Sequence, residues 1–431
     1  MLNRLLVVDD QIEFGRFVEE VGKSVGCDVR VSLHALDFKD SVAQWKPSLI
    51  IISLAMPEVD GVELLHWLAL QHSRTNIIIV GAANLRVIDA ARRVGEQRGL
   101  NMRFALAKPV SIQDLVEKLE LLKQIEEPLA DKALLRQEIK TIPAPTAEEI
   151  KTILPPPAQE KPVVHVEPNA GSFNREDFMR GLAGGEFILF YQPKISLKTG
   201  KIKGAEALAR WNHPQHGILP PNSFIFVMEE MGLIDNLTTH ILSSVLYQQK
   251  IWRAEGFNLQ IAVNLSPRNL HSEAFADTII ALCNAEKVPP DSIMLEVTES
   301  SDMLYKLEAL DIITRLRLQG FEVSIDDFGR GYASLTRLQQ LPITEIKIDL
   351  SFVLKMLKNP DALVIVQTVI DLARNMRMTS AAEGVETPEL YLLLAELGCD
   401  VAQGYAIAKP LPANQLRAWS EAWSPPRRQS P

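Results

Sequence analysis

The chain has 431 residues, 47% of them hydrophobic and 23% charged, enough apolar material to bury two cores. Its net charge of −9 argues against a sequence-independent binder of nucleic-acid polymers, which needs a basic face, while a small anion held through local cations or metals stays compatible with it. Three cysteines, Cys27, Cys283 and Cys399, are too few and too scattered for a disulfide framework or a metal site and fit a reducing compartment. The apolar run within Met1 to Asp10 is too short for a signal peptide, and no run of about 18 apolar residues predicts a membrane span, so a cytoplasmic protein is expected.

Residues 5–8 form a continuous apolar run ended by Asp9-Asp10, as in a parallel strand buried on both faces. Phe14, Phe17, Val18 and Val21 follow at helical spacing, and further apolar runs at 49–52, 77–80 and 104–106 alternate with helix-length segments. This alternation predicts a doubly wound α/β sheet, whose functional residues collect at the carboxyl ends of the strands. Residues 125–171 then carry eight of the chain's 26 prolines and read as an extended, semi-stiff spacer with short helical pieces. Within the spacer Glu138-Ile139-Lys140-Thr141-Ile142 recurs as Glu149-Ile150-Lys151-Thr152-Ile153; two copies are too few for a solenoid.

From about residue 172, β-like runs at 188–193, 202–211, 259–265, 293–298, 321–326, 345–349, 379–385 and 400–405 alternate with helical patterns. Eight such runs predict a TIM-like (β/α)8 barrel. Glu206, Leu208 and Arg210 share one strand face, opposite Ala205, Ala207 and Ala209, while Asn264, Glu296 and Glu383 fall at or near the ends of apolar runs. The centre of this half is Ser324-Ile325-Asp326-Asp327-Phe328-Gly329-Arg330-Gly331. Neighbouring strand residues point to opposite faces, so Asp326 and Asp327 share a site only where the strand ends and its pleat breaks. Such a pair is either a turn whose second acid caps a helix or part of a two-metal site. Five or more carboxylates around one mouth need compensation, and Arg210 and Lys347 are the strand-end cations at hand. Bound divalent metal is therefore expected, and oxygen ligands without His or Cys point to Mg²⁺ or Mn²⁺. His213-Pro214-Gln215-His216-Gly217 predicts a surface turn rather than a metal-ligand pair.

Asp9-Asp10, the turn Met56-Pro57-Glu58-Val59-Asp60-Gly61 and Lys108-Pro109 make residues 1–124 resemble the receiver domain of two-component response regulators, which implies a flavodoxin-like (βα)5 fold. Where that family carries its phosphoaccepting aspartate stands Ser53, which cannot form an acyl phosphate, and Gly81 replaces the usual Thr or Ser. Asp9, Asp10 and Lys108 are then either a remnant of a phosphorylation site or polar residues kept for structure. The degenerate site implies a protein-interaction or dimerisation module, and Ser53→Asp alone is not expected to restore phosphoryl control.

Glu206-Ala207-Leu208, followed by Arg210-Trp211, is similar to the motif that names the EAL domain, the family of cyclic-di-GMP phosphodiesterases. The match continues in order through Tyr191-Gln192-Pro193, Val263-Asn264-Leu265-Ser266, Leu295-Glu296-Val297-Thr298-Glu299, Asp326-Asp327-Phe328-Gly329, Lys347-Ile348-Asp349, Glu383-Gly384-Val385-Glu386-Thr387 and Gln403-Gly404-Tyr405. The resemblance implies cleavage of cyclic di-GMP to linear pGpG with two Mg²⁺ or Mn²⁺ ions per site. By it, Glu206, Asn264, Glu296 and Asp326 would hold one metal, and Asp326, Asp327 and Glu383 the second. Lys347 would orient and help deprotonate the attacking water, with Glu383 also in the catalytic set. Glu299 would pin the loop after Asp327, and Gln192, Arg210 and Glu386 would contact the dinucleotide.

Two departures fall in the loop. Arg330 stands where the family has a small residue, and Ala333 replaces a frequent Ser. The arginine has three fates open to it: pairing with Glu299 or another carboxylate, reaching the substrate phosphate, or pointing to solvent. The expected layout is a receiver-like domain at 1–124, a linker at 125–171 and an EAL barrel at 172–431, in a homodimer or higher oligomer with a signalling protein on the receiver-like domain. The alternative is a catalytically weak or inactive cyclic-di-GMP receptor that signals through protein contacts.

Overall fold

The computed structural model describes residues 4–56, 59–82, 84–126, 173–299, 304, 306–330 and 335–427. The spacer with its near-repeat lies almost wholly outside the described residues, as do Gly331 and Ala333.

The amino-terminal part alternates β1 (Arg4–Val8), α1 (Ile12–Ser24), β2 (Asp28–Ser32), α2 (Ala35–Trp45), β3 (Leu49–Ser53), α3 (Gly61–Leu70), β4 (Asn76–Gly81), α4 (Leu85–Gln97), β5 (Asn101–Ala107) and α5 (Ile112–Glu126). All strand pairings are parallel, in the order β2-β1-β3-β4-β5, which is the doubly wound flavodoxin-like sheet expected. Every residue of β3 and β4 is buried, the physical reason their sequences are apolar at 49–52 and 77–80, with Ser53 and Asn76 at the strand ends. Edge strand β2, Asp28-Val29-Arg30-Val31-Ser32, alternates instead and carries a weaker signal.

The carboxy-terminal part contains α6 (Arg175–Ala183), β6 (Phe187–Ser196), β7 (Ile202–His213), β8 (Gly217–Leu219), α7 (Ile225–Glu230), α8 (Ile234–Ala254), β9 (Gln260–Leu265) and α9 (Glu273–Glu286). It continues with β10 (Ile293–Thr298), α10 (Leu307–Leu318), β11 (Glu322–Phe328), α11 (Leu335–Gln340), β12 (Glu345–Ile348), α12 (Leu350–Val353) and α13 (Pro360–Asn375). β13 (Thr379–Ala382), α14 (Pro388–Leu397), β14 (Val401–Ala402), β15 (Leu411–Pro412) and α15 (Ala413–Ala422) complete it. Strands β6, β14, β13, β12, β11, β10, β9 and β7 close on one another through the β6–β7 pairing. The barrel departs from an all-parallel one at β6, which runs antiparallel to both β7 and β14. The cause is local: β6 and β7 are joined by a turn through Gly200, at φ 67°, too short for the crossover a parallel pair needs.

The two parts meet where α4 packs against α10. Arg315 of α10 donates to Asp60 (2.9 Å), and Asp311 lies 2.6 Å from both Arg98 Nη2 and His66 Nε2. Helix α10 connects β10 to β11, the two strands that carry Glu296, Asp326 and Asp327.

Candidate active site

The strand register gathers the acids. Gln192 pairs with Glu206 across β6 and β7, Asn264 with Glu296 across β9 and β10, and Thr298 with Asp326 across β10 and β11. The pleat breaks inside β11: its pairing with β12 slips between Ile325 and Phe328, and Asp327 takes a φ of 56°. That break turns two adjacent acids to one side, so that oxygens of Asp326, Asp327 and Glu383 lie within 4.8 Å of one another. A left-handed aspartate in a strand is costly and occurs mainly where function requires it. The expected break is thus present, but it falls before the strand's last residue, Phe328.

Lys347, only 1% exposed, sits among the acids. Its Nζ lies 2.6 Å from Glu383, 2.7 Å from Glu296, 3.2 Å from Asp326 and 3.6 Å from Glu206. Burial disfavours its charge, but Glu206, Glu296, Glu383 and Asp326 outweigh burial and hold the ammonium well above its ordinary pKa. Glu206 accepts hydrogen bonds from Asn264 (2.6 Å) and Gln403 (2.7 Å); although burial opposes its ionisation, Lys347 and these two donors keep its pKa low. Burial, first, and neighbouring carboxylates push Glu296 to about 7 and Glu383 to about 8. Asp327 rises to about 6 for the same reasons, with Asp326 and Asp349 beside it. Carboxyl groups whose ionisation is pushed up toward neutral pH mark a site short of positive charge, and an all-oxygen donor set of this kind fits hard divalent cations.

Two residues outside the expected set shape the centre. Lys194 is buried and lies 2.7 Å from Glu345 and 3.2 Å from Glu296, so the expectation that Arg210 and Lys347 alone offset the acids is corrected. It follows Gln192 by two positions on the same face of β6, and strand alternation extended past Pro193 would have found it. Asp349, wholly buried, accepts from Ser351 N (2.8 Å) at the start of α12 and lies beside Asp327. Both Asp349 and Gln403 stood within recognisable motifs without an assigned part.

Glu299 is buried and accepts a hydrogen bond from Gly329 N (2.7 Å), while its own N–H donates to Asp326 O (3.0 Å). Of the three fates open to Arg330, pairing prevails weakly: its Nη1 is 3.7 Å from Asp349 and the side chain is 61% exposed. Gln192, Glu206, Glu383, Glu386, Gln403 and Tyr405 line a cavity of about 230 Å³. Gln192 donates to Ala408 O (3.1 Å), and Glu386 is exposed at the mouth. Arg210 stands outside that cavity, its guanidinium donating to Ala209 O (2.8 Å). His213 is a correction to the surface-turn reading: Pro214 to His216 form the exposed turn, but His213 is buried beside Trp211 and Phe173.

In the doubly wound part, Asp9 is fully buried with Lys108 Nζ at 2.5 Å, Asp10 is exposed, and Ser53 is buried at the end of the adjacent strand β3. A side chain at Gly81 would meet Leu54 and Ile88 at 3.5 Å, ordinary contact, so packing does not demand glycine there.

A carboxylate-lined barrel mouth and a degenerate receiver-type sheet in one chain define an EAL-type signalling protein. The EAL domain family matches residues 175–410 and the response regulator receiver domain family residues 5–120, and the chain belongs to the EAL family. It is 33% identical over 384 residues to the cyclic di-GMP phosphodiesterase RocR of Pseudomonas aeruginosa, covering 88% of this chain and 89% of that protein. Identity to the cyclic di-GMP phosphodiesterase PdeR of Escherichia coli is 35% over 243 residues, 56% of this chain and 36% of PdeR. Among solved structures, the PaMucR phosphodiesterase in its c-di-GMP complex superposes with a TM-score of 0.53 at 35% identity, covering 56% of this chain and 98% of the other. The EAL enzyme Bd1971, in its cAMP- and cyclic-di-GMP-bound form, gives 0.54 at 28% identity, covering 73% and 80%. Among the described residues no helix is long and apolar enough to cross a membrane.

Proposed function

We propose that this protein hydrolyses one phosphodiester of cyclic di-GMP to give linear pGpG, in a divalent-metal-dependent reaction at the carboxylate mouth of the barrel. The observation that carries the reading is the convergence of Asp326, Asp327 and Glu383 oxygens within 4.8 Å beside a buried lysine, a hard-ligand cluster whose acids outnumber its cations. Glu206, Asn264, Glu296 and Asp326 are assigned to one Mg²⁺ or Mn²⁺, and Asp326, Asp327 and Glu383 to a second. Such ions supply an acidified water and neutralise charge that builds on the phosphate during in-line displacement.

The chain's own residues do the rest. Lys347 holds Glu296 and Glu383 in place through its ammonium, and of its two assigned tasks, orientation is the one a protonated amine performs directly. Glu299 fixes the loop after Asp327 through Gly329. Gln192 and Glu386, which both line the same cavity, are assigned to the dinucleotide, as is Arg210, which does not line it. The module at 1–124, with Ser53 in place of an acceptor aspartate, serves assembly or partner contact independently of phosphorylation, and the barrel at 172–431 works as a homodimer or higher oligomer in the cytoplasm.

The test is single-turnover hydrolysis of cyclic di-GMP with Mg²⁺ or Mn²⁺ by wild type and Glu206→Ala. Formation of pGpG by wild type, abolished in the variant, supports the enzyme. Tight binding without product would make the protein a receptor instead.

A further inference from the structure

Between the two halves of the chain lies a cavity of about 910 Å³, bounded by α4 and β5 on one side and α11 and α13 on the other. Its charged lining is three arginines, Arg86, Arg93 and Arg377, against a single carboxylate, Asp89. In a chain of net charge −9 this local excess of cations runs against the background. The one acid is largely engaged, since Asp89 lies 3.3 Å from Arg92 and 3.8 Å from Arg93.

Arg86 is the telling residue. Its Nη2 donates to the carbonyl of Met376 at the end of α13, so the arginine spans the domain boundary, yet among the described residues no carboxylate pairs with it, and burial lowers its pKa. The Nη1 atoms of Arg86 and Arg93 are closed off from solvent and have no hydrogen-bond partner among the described residues. These two donors are closed to water and do not line the cavity; what the arginines offer a ligand there is their charge, which an anion offsets. The planar fork of arginine suits phosphate oxygens, which accept two of its N–H groups at once.

Size and wall chemistry narrow the class. The volume falls in the range of small-molecule sites, roughly 300–1,000 Å³, and is far larger than inorganic phosphate needs. Leu85, Ile88 and Leu372 give it an apolar wall, while the carboxamides of Asn375 and Gln339 offer paired donors and acceptors of the kind that read base edges, and Asn84, whose oxygen caps α4, adds its amide N–H groups. We propose that this interdomain cavity, remote from the carboxylate mouth, binds a phosphorylated nucleotide. Because both halves of the chain supply its walls, the nucleotide favours their docked arrangement and stabilises it by linkage. Binding at this cavity is independent of phosphodiesterase activity at the carboxylate mouth.

The test uses the full chain with GTP, ATP, cyclic di-GMP and inorganic phosphate as probes, followed by calorimetric stoichiometry and thermal unfolding. The active-site variant Glu206→Ala is the background, so that turnover does not consume the cyclic dinucleotide. In that background at least one nucleotide is expected to bind and raise the unfolding temperature, and both effects are expected to fall at least tenfold in affinity in Arg93→Gln and in Arg377→Asn. Arg377 has a φ of 54°, which asparagine tolerates, so the second variant leaves the backbone unstrained. Arg86→Gln, which also removes the contact to Met376, is expected to weaken binding further. The proposal is overturned if no nucleotide binds outside the active site, if phosphate alone matches the nucleotides at equal concentration, or if binding survives the arginine changes.

Discussion

Asp60 divides its carboxylate between the two halves of the chain: Oδ1 caps α3 by accepting from Glu63 N (2.9 Å), and Oδ2 accepts from Arg315 of α10 (2.9 Å). Both residues are at most 5% exposed, and Arg315 also reaches Asp277 at 2.8 Å. Burial opposes the arginine's charge, but Asp60 and Asp277 outweigh it and raise its pKa. Removing one partner strands the other, so Arg315→Met is expected to cost about 3–5 kcal/mol of the docked state. A double-mutant cycle with Asp60→Asn, read by denaturant unfolding, checks this. Costs that add to within about 0.5 kcal/mol would show the pair to be uncoupled.

The Glu299 to Gly329 hydrogen bond makes a kinetic prediction. A charge-assisted bond to a backbone N–H is worth about 1.5–3 kcal/mol, so Glu299→Ala is expected to lower turnover roughly 10- to 100-fold. Glu299 meets the acid cluster through its backbone N–H, which donates to Asp326 O (3.0 Å), a contact the substitution keeps, so Mn²⁺ affinity is expected to stay within about threefold. Glu299→Gln, which keeps an acceptor oxygen, is expected to fall between wild type and Ala. Equal losses of metal affinity and turnover in Glu299→Ala would count against loop positioning.

The acids were legible because a strand buried on both faces has few ways to accommodate Glu296 or Asp326 without a partner. Alternation placed Glu206 on one strand face with Arg210, and the doubled aspartate required a pleat break, which the slip after Ile325 supplies. Lys194 was not legible while its strand was taken to stop at Pro193, since a lysine beyond a strand end reads as solvated; β6 runs to Ser196 and buries it. The domain contact was hidden for a different reason. Asp311, Thr314 and Arg315 form a polar stripe on α10 that resembles a solvent face, and only the docking of α3 and α4 buries it. No local pattern distinguishes a charged stripe facing water from one facing another domain.

Arg330 is expected to matter less than its neighbour Asp349. The arginine is 61% exposed and 3.7 Å from Asp349, and such pairs contribute about 0–1 kcal/mol. Arg330→Thr should therefore change turnover by less than about fivefold in either direction. Asp349 is fully buried, caps α12 and lies against Asp327, so Asp349→Asn should cost tenfold or more through the placement of Asp327. Steady-state rates for the two variants decide the matter. A tenfold gain in Arg330→Thr would instead show that the arginine throttles the loop.

The acid cluster also sets a pH dependence. Burial and mutual repulsion put Glu296 at about 7 and Glu383 at about 8 in the metal-free protein, well above the ordinary glutamate value of about 4.5 that an unfolded chain shows. The folded state therefore holds these protons at pH values where the unfolded state has released them. Stability from this source is fully present below about pH 4.5 and is lost as pH rises through 7 to 8. A divalent cation competes with the same protons, so its binding must release protons near neutrality and strengthen as pH rises. The rise in unfolding temperature on adding Mn²⁺ is accordingly expected to be several times larger at pH 8 than at pH 6, with proton release detectable by calorimetry in buffers of different ionisation enthalpy. Stabilisation by Mn²⁺ that is equal at the two pH values, with no proton release, would mean that the ion binds away from Glu296 and Glu383.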